Sequence, residues 1–137
     1  MKPCRFFKPT RFPIKETMNI LDKITAHKRK EVEARKQTVS IQQLEKSPLF
    51  NRQPFAATTF IKERSGIIAE FKRQSPSKGI IHPNPNIETI TKGYVSAGVS
   101  AISVLTDVDF FGGSDADLKA ARRFNEIPLL RKDFMID

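Results

Sequence analysis

Ile68-Ala69-Glu70-Phe71-Lys72-Arg73-Gln74-Ser75-Pro76-Ser77-Lys78-Gly79 is the stretch on which the reading of the fold turns. Its first half is a strand pattern, taken here as Gly66 to Lys72, and its second half is rich in turn residues. Side chains on a strand alternate between faces, so Ile67, Ala69 and Phe71 share one side while Ile68, Glu70 and Lys72 share the other. The first face is wholly apolar and calls for helices packed against it. The second carries a carboxylate and an ammonium two residues apart, a costly arrangement inside a protein unless the charges pair or do chemistry.

Working outward, the chain alternates between strand and helix. Ser75 to Pro85 reads as a loop. Asn86 can cap a helix from Ile87 to Ala97, with Ile87, Ile90 and Tyr94 on one face and Gly98 as its stop. Ala101 to Thr106 is a second strand and Asp107 to Gly113 a loop. Ser114 caps a further helix, with Asp117 three residues on and Leu118, Ala121 and Phe124 as its buried stripe. A third strand begins at Pro128 and runs to Lys132. Two successive strand–helix–strand units imply parallel strands. A three-stranded parallel sheet has open edges and uncovered faces, so the expected class is α/β, as the first part of a (β/α)8 TIM barrel. Such barrels run to about 250 residues. The chain is therefore expected to be truncated after the third strand. An open doubly wound sheet competes, but no Gly-x-Gly-x-x-Gly follows the first strand.

Before Gly66 the pattern is helical. Residues 1–17 read as an unstructured extension, 18–65 as an N-terminal helical extension and 66–137 as the barrel segment. Asn19 is the expected N-cap of the first helix, and Asp22 lies near its positive end. Ile20, Leu21, Ile24 and Val32 form a loose apolar stripe, which leaves Lys28, Arg29, Lys30 and Arg35 facing outward. Ser40 and Gln43 can form a capping box for a short second helix at Ile41 to Lys46. A third lies within Pro54 to Arg64.

Lys72 and Lys132 both arrive at the C-terminal ends of parallel strands, where barrel active sites lie. Two neighbouring ammonium groups attract an anionic substrate, and a tuned lysine can donate a proton near neutral pH. The residues alone also allow a plain internal Glu70–Lys72 pair with Lys132 at the surface. Ser75 to Gly79 can be a turn or a hydroxyl-rich cover over the strand ends. Phe110-Phe111-Gly112-Gly113 follows the second strand in the same way, and exposed paired aromatics call for something to cover. His27 and His82 lack partners at ligand spacing, so they read as ordinary surface histidines and no metal site is expected.

The single cysteine, Cys4, rules out an internal disulfide framework, and a cytoplasmic protein is expected. No apolar run approaches the roughly 20 residues that cross a bilayer, so no membrane partner is expected. The net charge of +9 is concentrated at the front. Residues 1–36 hold eleven Lys/Arg against four Asp/Glu, or +7, and the remainder thirteen against eleven, or +2. Phe6, Phe7 and Phe12 lie among those basic residues, but no nucleic-acid module accompanies them, so a solvated tail is expected and no nucleic-acid partner.

Taken together, Asn19 to Ile24, Ile68 to Gly79, Ile102 to Asp107, Phe110 to Ser114 and Pro128 to Phe134 resemble the indole-3-glycerol-phosphate synthase family, in order and at family-like spacing. The resemblance implies a (β/α)8 barrel behind a helical extension. It implies a cofactor-free carboxy-lyase of tryptophan biosynthesis that closes the indole ring of 1-(2-carboxyphenylamino)-1-deoxyribulose 5-phosphate, an anionic substrate, with loss of carbon dioxide and water. By position, Lys132 matches the general acid, Lys72 the lysine that binds the substrate carboxylate, and Glu70 the neighbouring carboxylate. Ser75 matches a substrate contact, and Phe111 and Phe134 match the apolar groups around the aromatic ring. A further catalytic carboxylate and the late phosphate-binding loops have no counterpart in these residues. The 137-residue chain is therefore expected to be inactive and poorly folded alone. Residues 1–17 also lack a counterpart, which makes Met18 the expected natural start. Fusion or association with other tryptophan-pathway enzymes is compatible with the family. The alternatives are an inactive fragment or another phosphosugar-binding barrel; phosphoribosylanthranilate isomerase chemistry would need a cysteine that only the tail supplies.

Overall fold

A computed structural model describes residues 18–137, so the expected extension at 1–17 lies outside the described residues. Three helices come first: α1 (Ile20–Thr38), α2 (Ile41–Glu45) and α3 (Ala57–Glu63). The strands and helices that follow are β1 (Ile68–Phe71), β2 (Gln74–Ser75), β3 (Gly79–Ile80), α4 (Ile87–Ser96), β4 (Ala101–Leu105), α5 (Asp115–Phe124) and β5 (Leu129–Lys132).

Local chemistry sets the helix starts. Asn19 accepts the Asp22 N–H at 2.9 Å, Asn86 the Thr89 N–H at 2.9 Å and Ser114 the Asp117 N–H at 3.0 Å. Each satisfies an amide that the first helical turn would otherwise leave unpaired. The Ser40–Gln43 capping box is present in both directions, at 3.3 and 2.8 Å. Gly98, at φ 83°, ends α4 in the left-handed region, where a side chain would strain.

The main sheet is parallel with strand order β1-β4-β5. In register, Glu70 pairs with Ser103 and Ser103 with Leu130, while Leu105 pairs with Lys132. Central β4 is buried along its whole length. Its Ile102 and Val104 join Phe71, Val99, Ala121 and Ile127 in the core, and Ile87, Ile90, Tyr94 and Leu118 of α4 and α5 pack against that cluster. Burying each large aliphatic side chain contributes about 2 kcal/mol, so one sheet face covered by two helices supplies most of the apolar stabilisation.

Several local expectations change. Ile67 precedes β1 rather than joining its core face, and it is exposed because the ladder starts one residue later. The loop after β1 contains the antiparallel β2–β3 ribbon, turned at Gly79 with φ 65°. Phe124 is only half-buried, with the Lys92 ammonium 5.0 Å from its ring centroid. The largest departure concerns Lys28. It does not face outward but is 4% exposed, because Asp107 and Asp133 from the loops after the strands, with Glu31 of the same helix, receive its ammonium. Among the described residues no helix is long and apolar enough to cross a membrane.

Candidate active site

Glu70, Lys72 and Lys132 meet at the C-terminal end of the sheet. Glu70 Oε2 accepts a hydrogen bond from Lys132 Nζ at 2.5 Å, and Glu70 Oε1 pairs with Lys72 Nζ at 2.8 Å. Strands are spaced about 4.8 Å apart, so the Glu70–Lys132 contact spans two spacings across β4. Both long side chains must reach across β4 to make it. The carboxylate, not the second ammonium, is thus the immediate charged neighbour of each lysine.

The electrostatics favour an ionised Glu70. Its partial burial acts to raise the carboxyl pKa, but the hydrogen bonds from Lys132 and Lys72 outweigh that and hold it below the usual carboxylate range. Lys132 remains half-exposed and Lys72 one-third exposed, so both ammonium groups are reachable from solvent.

Beside this charged cluster lies an open, mostly apolar cavity of about 790 Å³, to which Lys72, Ser75, Phe111 and Phe134 all contribute. The rings of Phe111 and Phe134 lie 6.1 Å apart between centroids, forming one aromatic wall. Ile20 and Leu21 of α1 line the same cavity, which accounts for the large exposure of these two residues. Ser75 Oγ accepts the Lys78 N–H at 3.2 Å and so shapes the ribbon tip at the rim. All six residues singled out from sequence therefore fall in one place, four on the cavity and Glu70 and Lys132 joined to it through Lys72.

The loops carrying the aromatics are held by carboxylates that sequence reasoning passed over. Asp107 Oδ1 accepts the N–H groups of Phe110 and Phe111 at 2.8 and 3.2 Å. Asp133 Oδ1 accepts the Phe134 N–H at 2.8 Å, and its Oδ2 accepts from Thr106 Oγ1 at 3.0 Å. Burial pushes the Asp133 carboxyl up, but Lys28, the Phe134 amide and Thr106 together hold it below the ordinary range. Gly113 fits against β4 so closely that a Cβ there would lie 2.1 Å from the Leu105 carbonyl oxygen. A second omission is the pair between Arg73 and Asp117, at 3.0 and 2.6 Å, which ties the end of β1 to the first turn of α5.

Both histidines are exposed, as expected of surface residues; His27 in addition has its Nε2 2.6 Å from Asp109 Oδ2 and its ring edge-on to Phe110 at 5.6 Å. Among the described residues no group of three His, Cys, Asp or Glu side chains is placed to hold a metal ion.

Comparison with known proteins gives the same direction as the geometry. The family model for indole-3-glycerol phosphate synthase matches residues 21–137. The chain is 47% identical over 122 residues to the indole-3-glycerol phosphate synthase of Bacteroides thetaiotaomicron, covering 87% of this chain and 46% of that protein. It is 46% identical over 121 residues to the protein of the same name from Ruminiclostridium cellulolyticum, covering 86% and 46%. For that of Syntrophobacter fumaroxidans the identity is 40% over 122 residues, with 86% and 46% covered. The chain spans about half the length of these curated relatives. By the family match and the aligned identities, the chain belongs to the indole-3-glycerol phosphate synthase family.

Proposed function

We propose that these residues form part of the active site of a cytoplasmic, cofactor-free carboxy-lyase of tryptophan biosynthesis. The reaction converts 1-(2-carboxyphenylamino)-1-deoxyribulose 5-phosphate into indole-3-glycerol phosphate, carbon dioxide and water. The observation that carries this reading is Glu70 bridging Lys132 and Lys72 beside an aromatic-walled cavity. In the proposed fold, residues 18–65 are a helical extension and residues 66–137 the opening strands of a (β/α)8 barrel, whose active sites lie at the strand C-termini.

The chemistry asks for three things. The substrate ring must be held against its own ketose carbon, and Phe111 with Phe134 offers an apolar wall for that ring. The benzoate carboxylate must be fixed until it leaves as carbon dioxide; the Lys72 ammonium suits that role, with Ser75 on the same rim. The ketose oxygen must gain a proton as the ring carbon attacks, and Lys132 is the donor. Carbon–carbon bond formation, loss of the carboxyl as carbon dioxide and loss of the hydroxyl as water then restore aromaticity. Glu70 holds both ammonium groups in place before substrate arrives, so less reorganisation is left for the reaction.

Following indole fluorescence and carbon dioxide release together on the native gene product tests this reading. One carbon dioxide per indole product is expected, with no added metal or cofactor. Absence of turnover, or turnover without carbon dioxide release, would refute it.

A further inference from the structure

We infer that Lys28, on the N-terminal helix and not on the sheet, is a positioning residue that sets the Phe111–Phe134 wall for the aromatic ring of the substrate. The inference rests on the synthase reading for the identity of that ring. It rests on contacts alone for the positioning.

Lys28 Nζ lies 2.8 Å from Asp133 Oδ1, 3.0 Å from Asp107 Oδ2 and 2.8 Å from Glu31 Oε2. Its side chain is 5% exposed, and those of Asp107 and Asp133 are 1% and 8%. Such a cluster is expensive to desolvate and strongly penalises removal of one partner. Asp107 and Asp133 are the two carboxylates that hold the backbone N–H groups of Phe111 and Phe134. One ammonium therefore pins both turns that present the aromatic wall. Lys28 donates a hydrogen bond to Glu31 at 2.8 Å, whereas its contacts with Asp107 and Asp133 are ion pairs, so the pull on both turns is electrostatic.

The arrangement also couples α1 to the site. The same helix brings Ile20 and Leu21 to the cavity two turns before Lys28. Holding Lys28 in place thus fixes the α1 part of the lining and the aromatic pair relative to each other. A displaced ring wall weakens ring binding first, whereas the Glu70–Lys132 contact does not include Lys28.

The test uses the native gene product with Lys28→Met and Lys28→Arg. For Lys28→Met, KM is expected to rise about 10-fold with kcat changed less than about 3-fold, the split expected when ground-state binding is lost. Lys28→Arg, which keeps the charge, should return KM to within about 3-fold of wild type. Amide exchange at Phe111 and Phe134 should speed up at least about 10-fold in Lys28→Met relative to Ile102 in central β4. An unchanged KM in a folded Lys28→Met protein, with only its melting temperature lowered, would overturn the inference. Wild-type protection at both phenylalanine amides would overturn it too. If the wild-type protein does not turn over the substrate, the synthase reading fails, while the exchange comparison still decides the positioning. Should Lys28→Met not fold, Lys28→Gln, which loses the charge and keeps a donor, takes its place under the same criteria.

Discussion

Two glycine-to-alanine substitutions in this chain should act in opposite directions, and the reason is visible atom by atom. At Gly113 a Cβ would lie 2.1 Å from the Leu105 oxygen, 2.6 Å from the Leu105 carbon and 3.0 Å from Thr106 Cα. All three atoms are backbone at the end of a fully buried strand, so no side-chain rotation relieves the contact. The Gly113 φ is not in the left-handed region, which leaves contact as the whole cost. Separation to an ordinary distance takes roughly 1 Å of backbone movement, and overpacking of this kind costs about 1–3 kcal/mol. Movement also breaks the 2.7 Å hydrogen bond from Gly113 N–H to the Asp107 carbonyl. Losing that bond adds about 1 kcal/mol. Gly113→Ala should therefore destabilise by about 3 kcal/mol. At Gly93, in the exposed middle of α4, an added Cβ meets nothing within 4 Å. There alanine should stabilise by about 1 kcal/mol through helix propensity. Urea unfolding of the native gene product followed by far-UV circular dichroism measures both. With a slope of about 1.5 kcal/mol/M, the two midpoints should differ by about 2.7 M. Gly113→Ala within about 0.5 kcal/mol of wild type would refute the packing argument, since that is the range of ordinary surface substitutions.

Other outcomes follow from the ion pairs. Asp117→Asn removes the carboxylate that the Arg73 guanidinium grips by two bonds, and it should cost about 2 kcal/mol in the same urea assay; a cost near zero would mean that solvent replaces the pair freely. Glu70 and Asp133 have folded pKa values below their unfolded ones, near 4. Their stabilisation is thus fully present above about pH 5 and is lost as pH falls through the depressed folded values. The urea midpoint should drop between about pH 5 and pH 2, and Asp133→Asn should flatten part of that drop; an equally steep drop in the variant would remove Asp133 from the account.

What could be read in advance was what local chemistry decides. Asn19, Ser40, Asn86 and Ser114 announce helix starts because each cap closes on an amide within three residues. The alternation of Ala69 and Phe71 against Ile68 and Glu70 was legible for the same reason, since period and face belong to the strand itself. The β2–β3 ribbon escaped because two residues per strand carry no alternation to read. Lys28 escaped for a different reason. Its partners Asp107 and Asp133 come from loops far along the chain, and only the folded sheet brings them under α1. A hint was nevertheless there. Lys28 follows buried Ile24 by four residues, which places it on the inward stripe of the helix. Reading charge as exposure hid that spacing. The residues proposed for the site lie near one another because the strand ends and the loops that follow them collect them.

The proposed role of Lys132 as proton donor is open to one direct measurement. Replacing it with methionine keeps the length of the stem and removes the ammonium that Glu70 holds. Steady-state indole formation by the native gene product should fall about 10³-fold in kcat, in the range that a general acid supplies, with KM changed little. A Lys132→Met protein that keeps wild-type kcat would contradict the assignment of this lysine, and with it the chemistry proposed for the Glu70–Lys72–Lys132 cluster.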